Sequence, residues 1–137
     1  MLLEATGATT ANDLLHRFYT PAFPRPKIAA LSPLVERAAA AGDLIAGDIL
    51  DVAGQQLASI TMAARKMIFA PTEAARVSYI GGVFRTERVR TKFETIVRSQ
   101  AGNEVGPPQY GPAAGALIEA FRIAGVTAVL RGVPDEK

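Results

Sequence analysis

A short predicted strand that ends in two glycines holds the residues best suited to chemistry. The segment Val77–Phe84 combines β-branched and aromatic residues with the pair Gly81 and Gly82, and a helix is predicted to begin at Glu87. Because glycine has no Cβ, a ligand can approach its backbone closely, and free N–H groups at the start of a helix can face an anion. This order is suited to a nucleotide. A tight turn between strand and helix requires the same residues, so both interpretations stay open.

Other phosphate motifs and catalytic groups do not fit the sequence. The segment Gly81–Thr86 lacks the third glycine of the dinucleotide-binding fingerprint, and no Gly-Lys-Ser/Thr triplet of a P-loop follows it. His16 is the only histidine and has no partner for metal or triad chemistry, so it is interpreted as a surface or interface residue. Asp43 and Asp48 are interpreted as helix-capping and solvated residues. The sequence therefore predicts no catalytic and no metal-binding residue.

The composition argues against several classes of partner. The 15 basic and 13 acidic side chains give a net charge of +2, too small for a nucleic-acid-binding surface. The basic run Arg85–Lys92 is interpreted as a solvated helix face, because Glu87 and Glu94 are interspersed with it. No apolar stretch is long enough to span a membrane. The absence of cysteine, and of a targeting segment after Met1, predicts a cytoplasmic protein.

Two parts with different hydrophobic periodicity must hold the glycine pair. Residues 9–70 are predicted to be helical and residues 76–130 to run strand, helix, strand, helix, within a single domain that covers residues 1–137. The predicted elements are a short helix ending before Pro21, helices over Leu34–Ala41, Leu44–Phe69, Glu87–Ser99 and Pro112–Ala124, and strands over Arg76–Ile80 and Asn103–Val105. Val126–Leu130 is either a third strand or a tail packed on the core. The predicted fold class is helix-rich α/β with two or three strands.

The longest predicted helix, Leu44–Phe69, carries an apolar stripe. Steps of three and four residues bring a set of aliphatic side chains onto one face. They are Ile45, Ile49, Val52, Ala53, Leu57, Ile60, Ala64, Met67 and Ile68. Gly47 and Gly54 each lower the helix propensity by about 1 kcal/mol relative to alanine, which indicates close packing against another element. Asp43 is placed to cap this helix, and Ser32, before Pro33, is placed to cap the preceding one.

Two or three strands are too few for a complete parallel sheet. Parallel strands are normally covered on both faces and have several neighbours. At least one strand edge is therefore expected to be open, or to pair with a segment that this sequence does not contain. We expect from this that the chain forms a homo-oligomer or associates with a missing N-terminal lobe.

Several segments, in order, resemble one group of ATP-dependent proteins. Ser78–Phe84 resembles the adenosine-side turn of the actin-like ATPase superfamily. Gly106–Leu117 is similar to the proline-rich loop and Gly-Ala helix start that close the C-terminal lobe of N-acetylglucosamine kinases and of BadF/BadG/BcrA/BcrD-type ATPases. Lys27–Val35 and Ala41–Asp43 are similar to the same family upstream. The resemblance runs from about Asp13 to Gly125.

The resemblance implies a fold of two RNase H-like lobes, with ATP in the cleft and a sugar or other small acceptor beneath it. In such enzymes Mg²⁺ and glycine-rich hairpins hold the phosphates, and a carboxylate activates the acceptor hydroxyl. Carried over by position, Gly81, Gly82, Val83 and Phe84 are expected to lie along the adenosine. Tyr110, in the proline-rich loop, is expected to have a packing role.

The sequence departs from the family pattern where the phosphates would bind. It contains no Asp-Gly dipeptide of the phosphate hairpin, no Gly-Ser-Gly-type loop and no catalytic aspartate after a strand. We therefore expect the C-terminal nucleotide-binding lobe of a sugar kinase or a BadF-type ATPase, catalytically incomplete alone, whether it is a truncated form or a split subunit. The alternative is a non-catalytic module that uses the same lobe to dimerise or to bind a partner.

Overall fold

The computed structural model describes residues 1–21, 23–127 and 129–131 of the chain. In chain order its elements are α1 (Leu2–Thr6), α2 (Ala11–Phe18), α3 (Arg25–Ala29), α4 (Ser32–Ala40), α5 (Leu44–Ile68), β1 (Ala75–Ser78), a 3₁₀ helix (Gly82–Arg85), α6 (Glu87–Arg98), β2 (Asn103–Gly106) and α7 (Pro112–Ile123). The predicted order of helices followed by strand, helix, strand, helix is confirmed, and the fold is helix-rich α/β. The short helices α1 and α3 were not predicted. Pro26 lies in the first turn of α3, where proline is compatible with a helix.

Local capping signals set the start of the long helix but not of the one before it. The Asp43 carboxylate accepts a hydrogen bond of 3.0 Å from the Ala46 N–H, so the predicted cap of α5 is confirmed. The predicted cap at Ser32 is wrong by one residue, since Ser32 is already helical and Leu31 holds the capping position. The N–H of Leu31 donates to the Ile28 carbonyl, so the chain leaves α3 in a helical turn and enters α4 without an extended residue.

Helix α5 is buried along a line of mostly small residues. Its buried positions are Ala46, Gly47, Leu50, Gly54, Ala58 and Arg65, and the helix packs mainly against α4 and α6. Most of the large side chains in the predicted apolar stripe are exposed instead, among them Ile60 and Met67. The periodicity therefore identified a real face of the helix, but not the face that packs inside the chain. Among the described residues, no helix is both long and apolar enough to cross a membrane.

Two glycines let α5 and α6 approach closely. A Cβ on Gly54 would lie 2.8 Å from both the Val89 carbonyl oxygen and the Lys92 Cβ, and one on Gly47 would lie 3.1 Å from the Arg88 guanidinium. Contacts under 3.0 Å require something to shift, and a backbone carbonyl in a helix cannot move cheaply. The prediction that these glycines mark close packing is confirmed.

The sheet consists of two parallel strands that α6 connects and covers. Register pairs Ala75 with Asn103 and Ser78 with Gly106. The core lies beneath the sheet, with Ala58, Phe93 and Val97 fully buried and Val77 and Val105 packed against them. Of the two alternatives for Val126–Leu130, a third strand is not found among the described residues, since residues 126–127 and 129–131 belong to no strand and residue 128 lies outside the described part. Val129 is exposed, so this segment is not packed on the core there.

A buried arginine fastens the end of α5 to the start of both strands. The Arg65 guanidinium donates 2.6 Å to the Glu73 carbonyl, just before β1, and also to the Asn103 side-chain oxygen in β2. The Asn103 amide in turn donates 2.9 Å to the Val97 carbonyl at the end of α6. Helices α5 and α6 and the starts of both strands are thereby joined at the amino-terminal edge of the sheet, and the opposite edge carries the loops that follow the strands.

Candidate functional site

The candidate site lies at the carboxyl-terminal edge of the two strands. Because β1 and β2 are parallel and Ser78 pairs with Gly106, the loops that follow them leave the sheet at the same edge. The loop after β1 contains the glycine pair, and the loop after β2 is the proline-rich segment 107–111. In open α/β sheets, ligands bind in the crevice outside this edge. The two segments singled out from the sequence are therefore brought to one side of the fold.

The glycine turn, which we define as Gly81–Arg85, is fixed by its own backbone. Gly81 has φ 110° and ψ 166°, a conformation that residues with a side chain rarely adopt. Its carbonyl accepts a hydrogen bond of 3.2 Å from the Phe84 N–H, and the Val83 carbonyl accepts one of 3.3 Å from the Thr86 N–H. The first glycine is therefore required by the fold of the turn.

The second glycine is not required by the fold. Gly82 does not have a positive φ, and a Cβ built on it would meet no heavy atom within 4 Å. The same open space surrounds Gly106, at the end of β2 on the same edge of the sheet. No backbone hydrogen bond of the turn, as far as the structure describes it, uses the N–H of Gly82 or Val83. A ligand that binds close to the backbone needs open space above a glycine and N–H groups that are free to donate to it, and Gly82 and Val83 provide both.

Apolar side chains flank this open space and face solvent. Val83 is 55% exposed and Ile80, immediately before the glycine pair, is 53% exposed. An exposed apolar side chain alone is ordinary. Together with the free N–H donors, Ile80 and Val83 form a mostly apolar surface with a few polar groups, which is typical of small-molecule binding sites.

The fourth predicted residue, Phe84, lies beneath the turn. Its ring centroid is 5.0 Å from that of Phe93 in the core and 5.1 Å from that of Tyr79, and Tyr79 is 6.2 Å from Phe93. These separations are typical of favourable aromatic contacts. The structure thus divides the four predicted site residues, with Gly81, Gly82 and Val83 at the open edge and Phe84 supporting them from the core.

Side chains that sequence reasoning did not select hold the C-terminal end of the turn. The Arg90 guanidinium donates 3.3 Å to the Phe84 carbonyl. The Thr86 hydroxyl, at the capping position of α6, makes no capping bond and instead donates 3.3 Å to the Glu36 carboxylate. Glu36 comes from α4, fifty residues away in the chain, and no local signal points to this contact. The helical part of the protein is therefore linked directly to the end of the turn.

The Tyr79 hydroxyl adds a second support. Its hydrogen bond to the Glu94 carboxylate, followed by burial, raises the pKa of the Tyr79 phenol above its usual range. Glu94 also forms an ion pair of 2.8 Å with Arg98, which donates 2.9 Å to the Val105 carbonyl in β2. Helix α6 is thereby connected to the strand ends from which both loops leave.

A cavity of about 530 Å³ opens between α4, α5 and the first turns of α6. Its charged lining residues are Glu36, Asp51, Glu87, Arg88 and Lys92. Arg88 donates two hydrogen bonds, of 2.8 and 2.9 Å, to the Asp51 carboxylate, and they hold the pKa of Asp51 below its usual range. The cavity begins directly after the glycine turn, at Glu87.

Other candidate residues lie outside this site. His16 is exposed on α2, Asp43 caps α5, and Glu119 forms an ion pair of 2.6 Å with Arg122. Among the described residues, no group of three carboxylate, histidine or cysteine side chains is arranged to hold a metal ion. The described residues therefore provide no preformed cluster of ligands for Mg²⁺.

The family follows from comparison with known sequences. The sequence model of the BadF/BadG/BcrA/BcrD ATPase family matches residues 4–120, which include α2 to α6, both strands and the glycine turn. The chain belongs to this family. No curated protein matches it significantly. As a BadF/BadG/BcrA/BcrD family member, the chain carries an ATPase-type, nucleotide-binding module, and the resemblance expected from the glycine turn and the proline-rich loop is confirmed at this level.

Proposed function

We propose that this chain supplies the adenosine side of an ATP site, in a lobe of RNase H-like, actin-like type. The complete protein would be a BadF-type ATPase or a sugar kinase of the N-acetylglucosamine kinase kind. The observation that carries the proposal is the open space above Gly82, at the edge of a parallel sheet where ligands bind.

The contacts of such a site follow from the exposed groups of the turn. The N–H groups of Gly82 and Val83 would donate to ribose or α-phosphate oxygens, because no backbone carbonyl of the described residues accepts from them. The exposed side chains of Ile80 and Val83 would lie against the sugar and base. Phe84 would act indirectly, by holding the turn against the Phe93 ring.

The sequence contains no motif suited to binding the β- and γ-phosphates of ATP. Without an Asp-Gly hairpin or a second glycine loop, nothing here would neutralise the β- and γ-phosphates, and Mg²⁺ with its carboxylate ligands would come from elsewhere. The acceptor, proposed to be a sugar or another small molecule, would likewise meet residues outside this chain. The chain alone is therefore proposed to bind weakly and not to catalyse. A cytoplasmic setting belongs to the same proposal.

Backbone amide shifts during nucleotide titration test the proposal. In ¹⁵N-labelled protein, ATP, ADP and AMP should shift the amides of Gly81, Gly82 and Val83 to a similar extent, since only the shared adenosine and α-phosphate are contacted. Gly82→Ala should reduce the apparent affinity by about tenfold, equivalent to about 1.4 kcal/mol. Ala30→Val, which also adds bulk at an exposed position, is the control and should bind like the parent.

Two results would contradict the proposal. Nucleotide shifts that avoid the glycine turn, or that Gly82→Ala leaves unchanged, would remove the turn from the site. Tight, Mg²⁺-dependent binding of ATP with turnover would show that the chain is catalytically complete.

The alternative function is a partner-binding module, which the exposed apolar face of α5 favours. A homo-oligomer, or association with an N-terminal lobe, belongs to this alternative.

A further inference from the structure

Helix α5 has a second apolar face that the described part of the chain leaves mostly exposed, although Ile45 and Ile49 at its N-terminal end line a cavity with α1 and α4. We call it the outer face, and it consists of Ile45, Ile49, Val52, Ile60 and Met67. All five side chains are more than half exposed, with Ile60 at 67% and Met67 at 87%. Isolated exposed aliphatic residues are common, but five on one side of a single helix form an apolar patch, which only Gln56 interrupts between Val52 and Ile60.

The outer face lies opposite the face that α5 uses inside the chain. At about 100° per residue, the outer residues cluster roughly 150° around the helix from the buried positions Leu50, Gly54 and Ala58. A helix that is apolar on two opposite sides is normally buried on both. One side is satisfied by α4 and α6, so the other requires a partner.

The charges beside the outer face indicate which partner fits. Asp48 and Lys66 are both exposed and stand eighteen residues apart, which is five helical turns, so they lie on the same side of α5 at opposite ends. Gln56, also exposed, lies on the outer face midway between Val52 and Ile60. If a second copy of this helix ran antiparallel to the first, the Asp48 end of each helix would lie beside the Lys66 end of the other.

We propose that the outer face of α5 binds the outer face of a second copy of this chain, with the two helices antiparallel about a two-fold axis near Gln56. In this register Val52 meets Ile60 of the second copy, and Ile45 meets Met67 of the second copy. Asp48 and Lys66 of the second copy are then level to within about two residues, or about 3 Å, which a lysine side chain spans. The contact is isologous, so every pairing occurs twice and closes the assembly as a dimer.

The size of the contact sets the expected strength. Helix α5 is about 37 Å long, so a single pair of helices gives an interface at the small end of the range for specific complexes. We expect a weak dimer and not an obligate one. Its dissociation constant should lie in the micromolar range, which corresponds to a binding free energy of about −8 kcal/mol. The interface does not include the glycine turn, so the proposal stands or fails independently of nucleotide binding.

Sedimentation equilibrium of the full chain from about 5 to about 500 µM tests the outer face. The mass should rise from 14.5 kDa towards twice that value. Ile60→Glu should weaken association at least tenfold. Ile123→Glu places the same charge at a residue of similar exposure, 74%, on α7, and should associate like the parent.

Charge reversal tests the antiparallel register. Lys66→Glu should weaken the dimer, and the double variant Asp48→Lys with Lys66→Glu should restore it, because the two ends exchange their charges. Circular dichroism verifies that each variant is folded. A parent chain that stays monomeric up to 500 µM overturns the proposal, as does equal association of the parent and Ile60→Glu. A double variant no tighter than Lys66→Glu overturns the antiparallel arrangement.

Discussion

The glycines of α5 and of the glycine turn differ in what occupies the space beside them. At Gly54 that space is filled by α6, whose Val89 carbonyl and Lys92 side chain would lie 2.8 Å from an added Cβ. At Gly82 an added Cβ would meet no heavy atom within 4 Å. The first glycine is explained by packing within the chain, whereas the second has no structural reason to be glycine. Gly82 therefore leaves room for a ligand beside the backbone, whereas Gly54 does not.

The same contrast extends to the surrounding elements. The contact between α5 and α6 is closed, with small residues on one helix and the buried Val89, Phe93 and Val97 on the other. The glycine turn is supported from below by Phe84 and Tyr79 but open above. Substitutions in the closed region should change stability, whereas those at Gly82 and Val83, the open positions of the turn, should change binding while stability stays constant.

The largest effect is expected where the two regions meet, at Phe93. Phe93→Ala should lower the free energy of unfolding by about 3–5 kcal/mol, because it leaves a cavity beneath both the turn and the sheet. Val83→Ala, at the exposed edge, should cost less than about 0.5 kcal/mol. Urea unfolding followed by circular dichroism measures both. Similar losses for the two variants would show that the turn is not open.

A smaller effect is expected from filling the two glycines. Gly54→Val should lower the free energy of unfolding by about 2–3 kcal/mol, because the side chain overpacks the α5–α6 contact and valine adds little helix propensity. Gly82→Ala should change it by less than about 0.5 kcal/mol. The same urea titration applies, and the two variants serve as controls for each other. A stable Gly54→Val would mean that α5 and α6 lie farther apart than described.

Local sequence patterns predicted the helices and strands, but they could not predict contacts between residues far apart in the chain. The Asp43 cap and the strand before Gly81 come from short-range signals, and both were found, although the strand ends at Ser78 and not at Ile80. The inner face of α5 was missed because alanine and glycine contribute little to hydrophobic periodicity, so the larger outer residues dominated the pattern. Arg65 gave no sign of burial, since its acceptors are supplied by a loop and by β2. The Glu36–Thr86 contact spans fifty residues and depends on how α4 packs.

The smallest effect concerns the support beneath the turn and depends on pH. The pKa of Tyr79 is raised above its ordinary value of 10.0, because the phenol donates to the Glu94 carboxylate. A raised pKa in the folded state means that the stabilisation is present below the ordinary pKa and is lost as pH rises through the folded value. The free energy of unfolding should therefore fall more steeply for the parent than for Tyr79→Phe between about pH 9 and about pH 11. Urea titrations at matched pH values measure this difference, and the shared background of lysine titration cancels in it. Parallel pH profiles would show that the hydroxyl does not hold the turn, which would leave the aromatic contacts of Phe84 as its support from the core.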